Sequence, residues 1–261
     1  MKQAIMIKWA LGCAGFALLT GGASMIAYGK KKAVTDQPVK MEHKEAEHKK
    51  PATAYKRITP QDMNLRVAMR QLWVDHAVWT HEYLVFATQD IGADYKKLAA
   101  ARLLKNQDDI GNAIIPVYGE KAGKKLASLL RDHILIAVEV VDAAKKGDTQ
   151  ALKKADEKWH SNAKDIAKFL HGANPQQWGE ADLVAMLNNH LALTTKEAVA
   201  LLGKQWADVV SLYDEIIAQL MMMADQLSTG IVKQFPEAFG YRPIRKMVRK
   251  APDKMHLKKK A

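Results

Sequence analysis

The sequence predicts an all-α protein, in which one transmembrane helix precedes a bundle of about six helices formed by three tandem helix-pair repeats of about 57 residues. Apolar residues recur every three or four positions from residue 60 to residue 234, which is the helical period. No segment keeps the strict alternation that indicates a strand. A histidine motif recurs at a fixed interval along the same region, which indicates repeated helix pairs.

The N-terminal segment, residues 1–29, is predicted to be a membrane anchor. Residues 9–28 are an uncharged run of 20 residues, long enough to cross the hydrocarbon core as a helix. Trp9 and Tyr28 lie at its ends, where interfacial aromatic side chains are favoured. A cleaved signal peptide is the alternative. We expect a single-pass protein with an extracytoplasmic body in the cell envelope, although the lysines after the anchor favour the cytoplasmic side.

The positive charge of the chain lies outside its folded body. Residues 61–240 contain 20 Lys and Arg against 23 Asp and Glu, whereas the rest of the chain contains 20 basic and 5 acidic residues. Residues 30–59 are therefore predicted to be a charged flexible linker, and residues 241–261 a basic tail. We expect no nucleic-acid partner, because its basic contacts would line the folded surface. Contact of the tail with anionic lipid is expected, with a solvated tail as the alternative.

The body, residues 60–240, begins with a helix-start signal. Thr59 is a capping residue, and Pro60 follows at the first helical position. Turn signals built from glycine, asparagine, aspartate and proline divide the rest into segments of helical length. The predicted helices are residues 60–89, 93–117, 120–146, 148–172, 178–202 and 204–234.

An internal repeat is the most informative feature of the body. His76, His133 and His190 are separated by intervals of 57 residues, and each opens an apolar stretch. The residues that follow them 29 or 30 positions later are Asn106, Asn162 and, in a diverged third copy, Gln219. One unit is therefore a long helix that carries the histidine, a turn, and a second helix that carries the amide.

Three interpretations of these histidines remain open. They can form a buried polar layer with Asn or Asp that fixes the helix register, a metal or small-ligand site, or an acid–base pair of an enzyme. Convergence of the three side chains would favour a metal, whereas three separate, fully packed histidines would favour the polar layer. The candidate metal ligands are His76, His133, His190, Asp109 and Asp165. The candidate members of the polar layer are Asn106, Asn162, Thr80 and Thr194.

The repeat motifs resemble an uncharacterised bacterial family of helical-bundle proteins, whose members carry LW-x-DH-x-x-WT and DHI-L-x-A motifs. The segments that carry the resemblance are residues 72–80, 101–114, 132–137 and 230–236. It implies a helical bundle across residues 62–240, with no established activity. This chain departs from the family pattern at Ile217 and Met222, where histidine is expected, and at His81, where arginine is expected. Some members are labelled glycosyltransferase, but this sequence has no glycine-rich phosphate loop.

Together these features predict a membrane-tethered, non-enzymatic helical module that binds a ligand or partner of unknown identity. The alternative is a helical bundle that uses the repeated histidines to bind zinc, iron or copper. The methionine run at residues 221–223 also suggests copper, but consecutive helical residues point in three directions. Core filling is therefore the preferred interpretation of that run.

Overall fold

The computed structural model describes residues 58–241 and is helical throughout that range, with no strand. Six long helices and one single-turn helix occur within these residues, which confirms the all-α prediction. Their bounds are α1 Pro60–Gln89, α2 Ala93–Ala113, α3 Ile115–Tyr118, α4 Glu120–Lys146, α5 Thr149–Ala173, α6 Glu180–Leu202 and α7 Trp206–Gln234.

The helix boundaries follow local chemistry closely. The Thr59 side chain accepts a hydrogen bond of 3.2 Å from the Asp62 amide, so it caps α1 as predicted. The predicted helix over 93–117 is instead divided into α2 and α3. Pro116 explains the division, because proline has no amide hydrogen to donate within a helix. The last two helices begin two residues later than predicted, after the caps Gly179 and Gln205.

The six long helices form a closed ring. Each packs against its neighbours in chain order, from α1 through α2, α4, α5 and α6 to α7, and α7 packs back against α1. Thr59 Oγ1 donates to the Phe239 carbonyl at 2.5 Å, and the Tyr241 hydroxyl donates to Asp62 at 2.5 Å. The beginning and the end of the body therefore meet at one end of the ring.

The histidine-bearing helices α1, α4 and α6 lie on the inside of this ring. Helix α1 contacts both α4 and α6 across the middle, and the core is built mainly from leucine, isoleucine, alanine and tryptophan of all six long helices. A smaller apolar cluster lies at the end where α1 and α6 finish, around Tyr83, Leu84 and Leu201. The inner helices thus carry their apolar faces, and the polar residues within them, to the centre of the bundle.

The predicted membrane anchor, residues 9–28, lies outside the described residues, as do most of the linker and the tail. None of the helices within residues 58–241 combines the length and the apolar character needed to cross a membrane.

Candidate functional site

The three repeated histidines meet at the centre of the bundle. His76 on α1, His133 on α4 and His190 on α6 are each only 4% exposed. The ring centroids of His76 and His190 are 5.6 Å apart, and those of His133 and His190 are 6.3 Å apart. We refer to these three residues as the histidine layer. The three histidines lie close together because each faces inward from the inner helix of its pair.

The outer helix of each pair contributes one amide side chain to the layer by the same hydrogen bond. The side-chain nitrogen donates to the backbone carbonyl of the residue four positions before the histidine. These bonds are Asn106 to Leu72 at 3.0 Å, Asn162 to Leu129 at 3.0 Å, and Gln219 to Met186 at 3.3 Å. The bond fixes the rotation of each amide. It leaves the Asn162 oxygen facing His133, whereas the Asn106 oxygen accepts from Gln107.

The Nδ1 atoms of the three rings have different partners. His133 Nδ1 donates to Asn162 Oδ1 at 2.8 Å. His76 Nδ1 lies 3.2 Å from Gln107 Nε2, which also donates to the Leu103 carbonyl and to Asn106, so two hydrogens serve three acceptors. His190 Nδ1 makes no hydrogen bond of normal geometry among the described residues, although the Gln219 side chain lies close enough to raise the pKa of the ring.

The Nε2 atoms face inward without a partner. None of the three accepts or donates a hydrogen bond within residues 58–241. Because Asn162 receives the Nδ1 hydrogen of His133, the Nε2 atom of that ring carries the lone pair. A lone pair on a fixed neutral imidazole is the form in which histidine binds a metal ion or accepts a proton.

Two small apolar cavities border the histidine layer, one on each side along the bundle axis, and all three histidines line both. The first has a volume of about 60 Å³ and lies towards Thr80 and Thr194. The second has a volume of about 40 Å³ and lies towards Trp73 and Met223. A cavity of about 150 Å³ is needed to hold benzene, so these spaces suit an ion or a molecule of a few atoms.

Buried polar atoms without a hydrogen-bond partner among the described residues concentrate around these cavities. Most buried polar groups in folded proteins are paired, so such atoms call for a physical explanation. Those whose residues line the cavities are Trp73 Nε1, Thr80 Oγ1, Trp159 Nε1, Trp178 Nε1 and His190 Nδ1. Two further atoms, Gln107 Oε1 and Gln219 Oε1, belong to the amides beside the layer.

Burial keeps the histidine layer neutral. Desolvation lowers the pKa of His133 to about 4, although its bond with Asn162 opposes the shift. Desolvation and the neighbouring His133 lower the pKa of His190 to about 3, although the Gln219 side chain opposes the shift. The pKa of His76 falls well below its usual value, by desolvation and then by the two other histidines. All three imidazoles are therefore unprotonated at neutral pH.

Of the acidic residues predicted as ligands, neither lies at the histidine layer. Asp109 is paired with Lys105 on the outer surface of α2, and Asp165 is exposed on α5. Both stand three residues beyond an inward-facing asparagine, an offset of about 60° around the helix, which places them at the margin of the inward face rather than at its centre. Within residues 58–241, no group of three or more His, Cys, Asp and Glu side chains has the arrangement that holds a metal ion.

The predicted polar residues do lie beside the layer. Asn106 and Asn162 are buried and contribute the amide bonds described above. Thr80 and Thr194, one turn after His76 and His190, line the first cavity. The Thr194 hydroxyl donates to the His190 carbonyl at 2.9 Å, whereas the Thr80 hydroxyl is unpartnered among the described residues.

Two features escaped prediction. The first is Gln107, which contacts His76. Ala163 stands at the corresponding position of the second helix pair, so comparison of the predicted repeats did not identify Gln107 as a site residue. The second feature is the fully buried Glu197, whose carboxylate lies 2.5 Å from His81 Nδ1. The sequence around Glu197 does not indicate which residue of another helix it pairs with.

Comparison with known proteins yields no match, whether to protein-family models, to curated proteins or to solved structures. The fold and the site alone therefore define the class, which is an all-α ring of helix pairs with a neutral three-histidine layer at its centre.

Proposed function

We propose that this chain is a membrane-tethered, non-enzymatic binding protein, and that its ligand is one metal ion bound by His76, His133 and His190. The observation that carries the proposal is the convergence of three neutral imidazoles whose Nε2 atoms lack partners among the described residues. Rings that share one ion through Nε2 have centroids about 5–6 Å apart, given metal–nitrogen distances of about 2 Å. As they stand, the three side chains do not form a metal-holding arrangement. Two of their ring separations, 5.6 and 6.3 Å, are close to the required spacing, so the proposal requires the rings to rotate about their side-chain bonds when the ion binds.

A purely structural polar layer accounts less well for the same atoms. Such a layer contributes to stability when every member is satisfied, and it lowers stability when some members are not. Here the Gln107 oxygen has no partner among the described residues, and His190 Nδ1 and the Gln219 oxygen, though close to one another, form no bond of normal geometry. A ligand at the centre would engage the Nε2 atoms and favour the tautomer that His133 already has, with its Nδ1 hydrogen on the Asn162 oxygen. His76 Nδ1 faces the Gln107 side-chain nitrogen, so that amide would have to turn over for His76 to adopt the same tautomer.

Three copies of one unit of about 57 residues explain how the site is built. The matched amide bonds to Leu72, Leu129 and Met186 support this interpretation, because each copy then supplies one histidine and the amide that positions it. Three copies arranged in a ring direct three equivalent side chains to the axis. A central ion would in this way hold all three pairs together.

The positions of the first and last described residues fit the proposed tethering. Thr59, where the linker arrives, bonds to Phe239 just before the basic tail begins. The linker and the tail therefore leave the body at the same end. A membrane anchored to the linker would then lie close to a tail with many lysines and arginines, which attract anionic lipid headgroups.

The test is the thermal stability of the purified full-length chain with one equivalent of Zn(II), Fe(II) or Cu(I), the last two under anaerobic conditions. A ligand at about 100 times its Kd stabilises the folded state by about 2.7 kcal/mol. For a body of this size we expect the melting temperature to rise by about 5–10 °C with at least one metal. His133→Leu and His190→Leu should remove the increase.

The matched control is Asp165→Ala, which changes an exposed residue near Asn162 and should keep the full increase. If no metal raises the melting temperature, the layer does not bind metal. Leucine variants less stable than the original chain would then favour the register-fixing interpretation, because each substitution leaves an amide without its histidine partner.

A further inference from the structure

The atoms around the histidine layer also indicate which cation it selects. Building on the proposed function, we propose that the site takes copper(I), bound by histidine Nε2 atoms and a methionine thioether, in preference to zinc(II) or iron(II). Three observations carry the inference: the absence of carboxylates from the cavity walls, the position of three buried or half-buried methionines, and the unequal spacing of the rings.

The cavity walls, as far as the described residues form them, contain no carboxylate. The deeply buried Glu197 is bonded to His81 and lines neither cavity. The cation therefore keeps its whole charge in an apolar core. The cost of burying an ion rises with the square of its charge, so a divalent ion costs about four times as much as a monovalent ion of equal size. Neutral ligands in this setting favour a monovalent metal.

Soft ligands lie on one side of the layer. Met69, Met186 and Met223 line the second cavity together with the histidines. Met69 and Met223 are 1% and 2% exposed, so their sulfur atoms are held within the core. Thioether sulfur prefers copper(I) over the harder divalent ions, and the unbranched methionine chain adjusts readily to a new contact. The adjacent Met222, by contrast, is 65% exposed.

The ring spacing suits an ion that accepts few ligands. His76 and His190 have the shorter centroid separation, 5.6 Å, and His133 stands farther from His190 at 6.3 Å. Structural zinc sites are almost always tetrahedral with four protein ligands, including charged thiolates in many cases. Copper(I) is stable with two or three nitrogen and sulfur ligands. The histidines of the layer and one thioether therefore provide all the ligands that copper(I) needs, without a charged group.

The experiment is an anaerobic competition titration of the full-length chain, with bicinchoninate for Cu(I) and with a zinc indicator for Zn(II). We expect Cu(I) to bind at least about 100-fold more tightly than Zn(II). At least one of Met69→Leu, Met186→Leu and Met223→Leu should weaken Cu(I) binding about tenfold or more, while zinc binding changes little. X-ray absorption of the copper complex should show both nitrogen and sulfur neighbours.

Met222→Leu is the matched control, since it makes the same change on the exposed face of α7. Methionine and leucine are similar in volume, so these variants should all fold. Zinc binding as tight as that of copper, or Cu(I) affinity unchanged in all three core variants, would overturn this inference and leave metal binding itself in place. Binding of none of the three metals would instead refute the proposed function.

Discussion

At the scale of single residues, the histidine layer places three polar rings where the surroundings offer few partners. Only His133 has a well-formed bond, to Asn162, whose other end is fixed by the Leu129 carbonyl. A buried polar atom without a partner costs about 1–3 kcal/mol. The histidine layer therefore lowers the local stability of the core, and leucine at the same positions would not. This cost is the physical reason to expect that the histidines bind a ligand.

Acid should destabilise the body through the layer. The pKa values of His133 and His190 fall to about 4 and 3 in the folded state, against about 6.5 in the unfolded chain. Between these values the unfolded chain binds more protons, so stability is full above pH 6.5 and falls as the pH decreases towards 4. The expected loss is about 1.4 kcal/mol per pH unit for each histidine. Urea unfolding at pH 7.5, 6 and 5 measures it.

The replacement His133→Leu should reduce this pH slope by about one third, since it removes one of three titrating groups. Stability that stays constant from pH 7 to pH 5 would contradict the burial of neutral histidines.

Loss of a positioning amide should also be measurable. Asn162→Ala removes the partner of His133 Nδ1 and a donor to Leu129. We expect a loss of about 1–3 kcal/mol in the free energy of unfolding, measured with urea. Asp165→Ala, three residues further along the exposed face of α5, should change stability by less than about 0.5 kcal/mol. Equal effects of the two variants would show that Asn162 does not support the layer.

At the scale of helices, close approaches determine how neighbouring segments fit. The turn before α6 places Trp178 directly against Gly230 on α7, where an added Cβ would lie 2.1 Å from Trp178 Nε1. The Asn174 side chain donates to the Gly230 carbonyl at 2.9 Å and holds the same turn in place. The glycine thus lets a buried tryptophan close the second cavity at its outer end.

Two glycine substitutions should have opposite effects. Gly230→Ala forces a clash with Trp178 and should lower the free energy of unfolding by about 1–3 kcal/mol. Gly172→Ala, in α5, meets nothing within 4 Å and should raise it by up to about 1 kcal/mol, because alanine loses less backbone entropy on folding. Thermal unfolding of both variants measures the contrast. A neutral Gly230→Ala would mean that Trp178 is free to move away.

At the scale of the whole molecule, closure of the ring is the dominant feature. Contacts between α1 and α7 join the first and last helices, and the Arg70–Asp225 and Tyr241–Asp62 bonds reinforce them. Closure therefore brings the first and the last described residues of the body together at one end of the ring.

The uncharged run at residues 9–28 predicts membrane association of the full chain. The full-length protein should stay with the membrane fraction after alkaline carbonate extraction, whereas a chain beginning at Ile58 should be soluble and helical. Protease added to intact spheroplasts should degrade the body if it is extracytoplasmic. Release of the full chain by carbonate would contradict the anchor, and complete protection from protease would place the body on the cytoplasmic side.

The sequence by itself determined the helical class and the limits of most helices to within two residues, and the matched spacing of His76, His133 and His190 singled out these three residues. These properties depend on local periodicity, capping and repeated spacing, which can be recognised in the sequence alone. Only the tertiary structure decided that the three histidines converge, that Gln107 rather than Asp109 approaches His76, and that Glu197 pairs with His81. Such contacts depend on how helices rotate and pack across the ring, because a shift of one residue turns a side chain by about 100° around its helix.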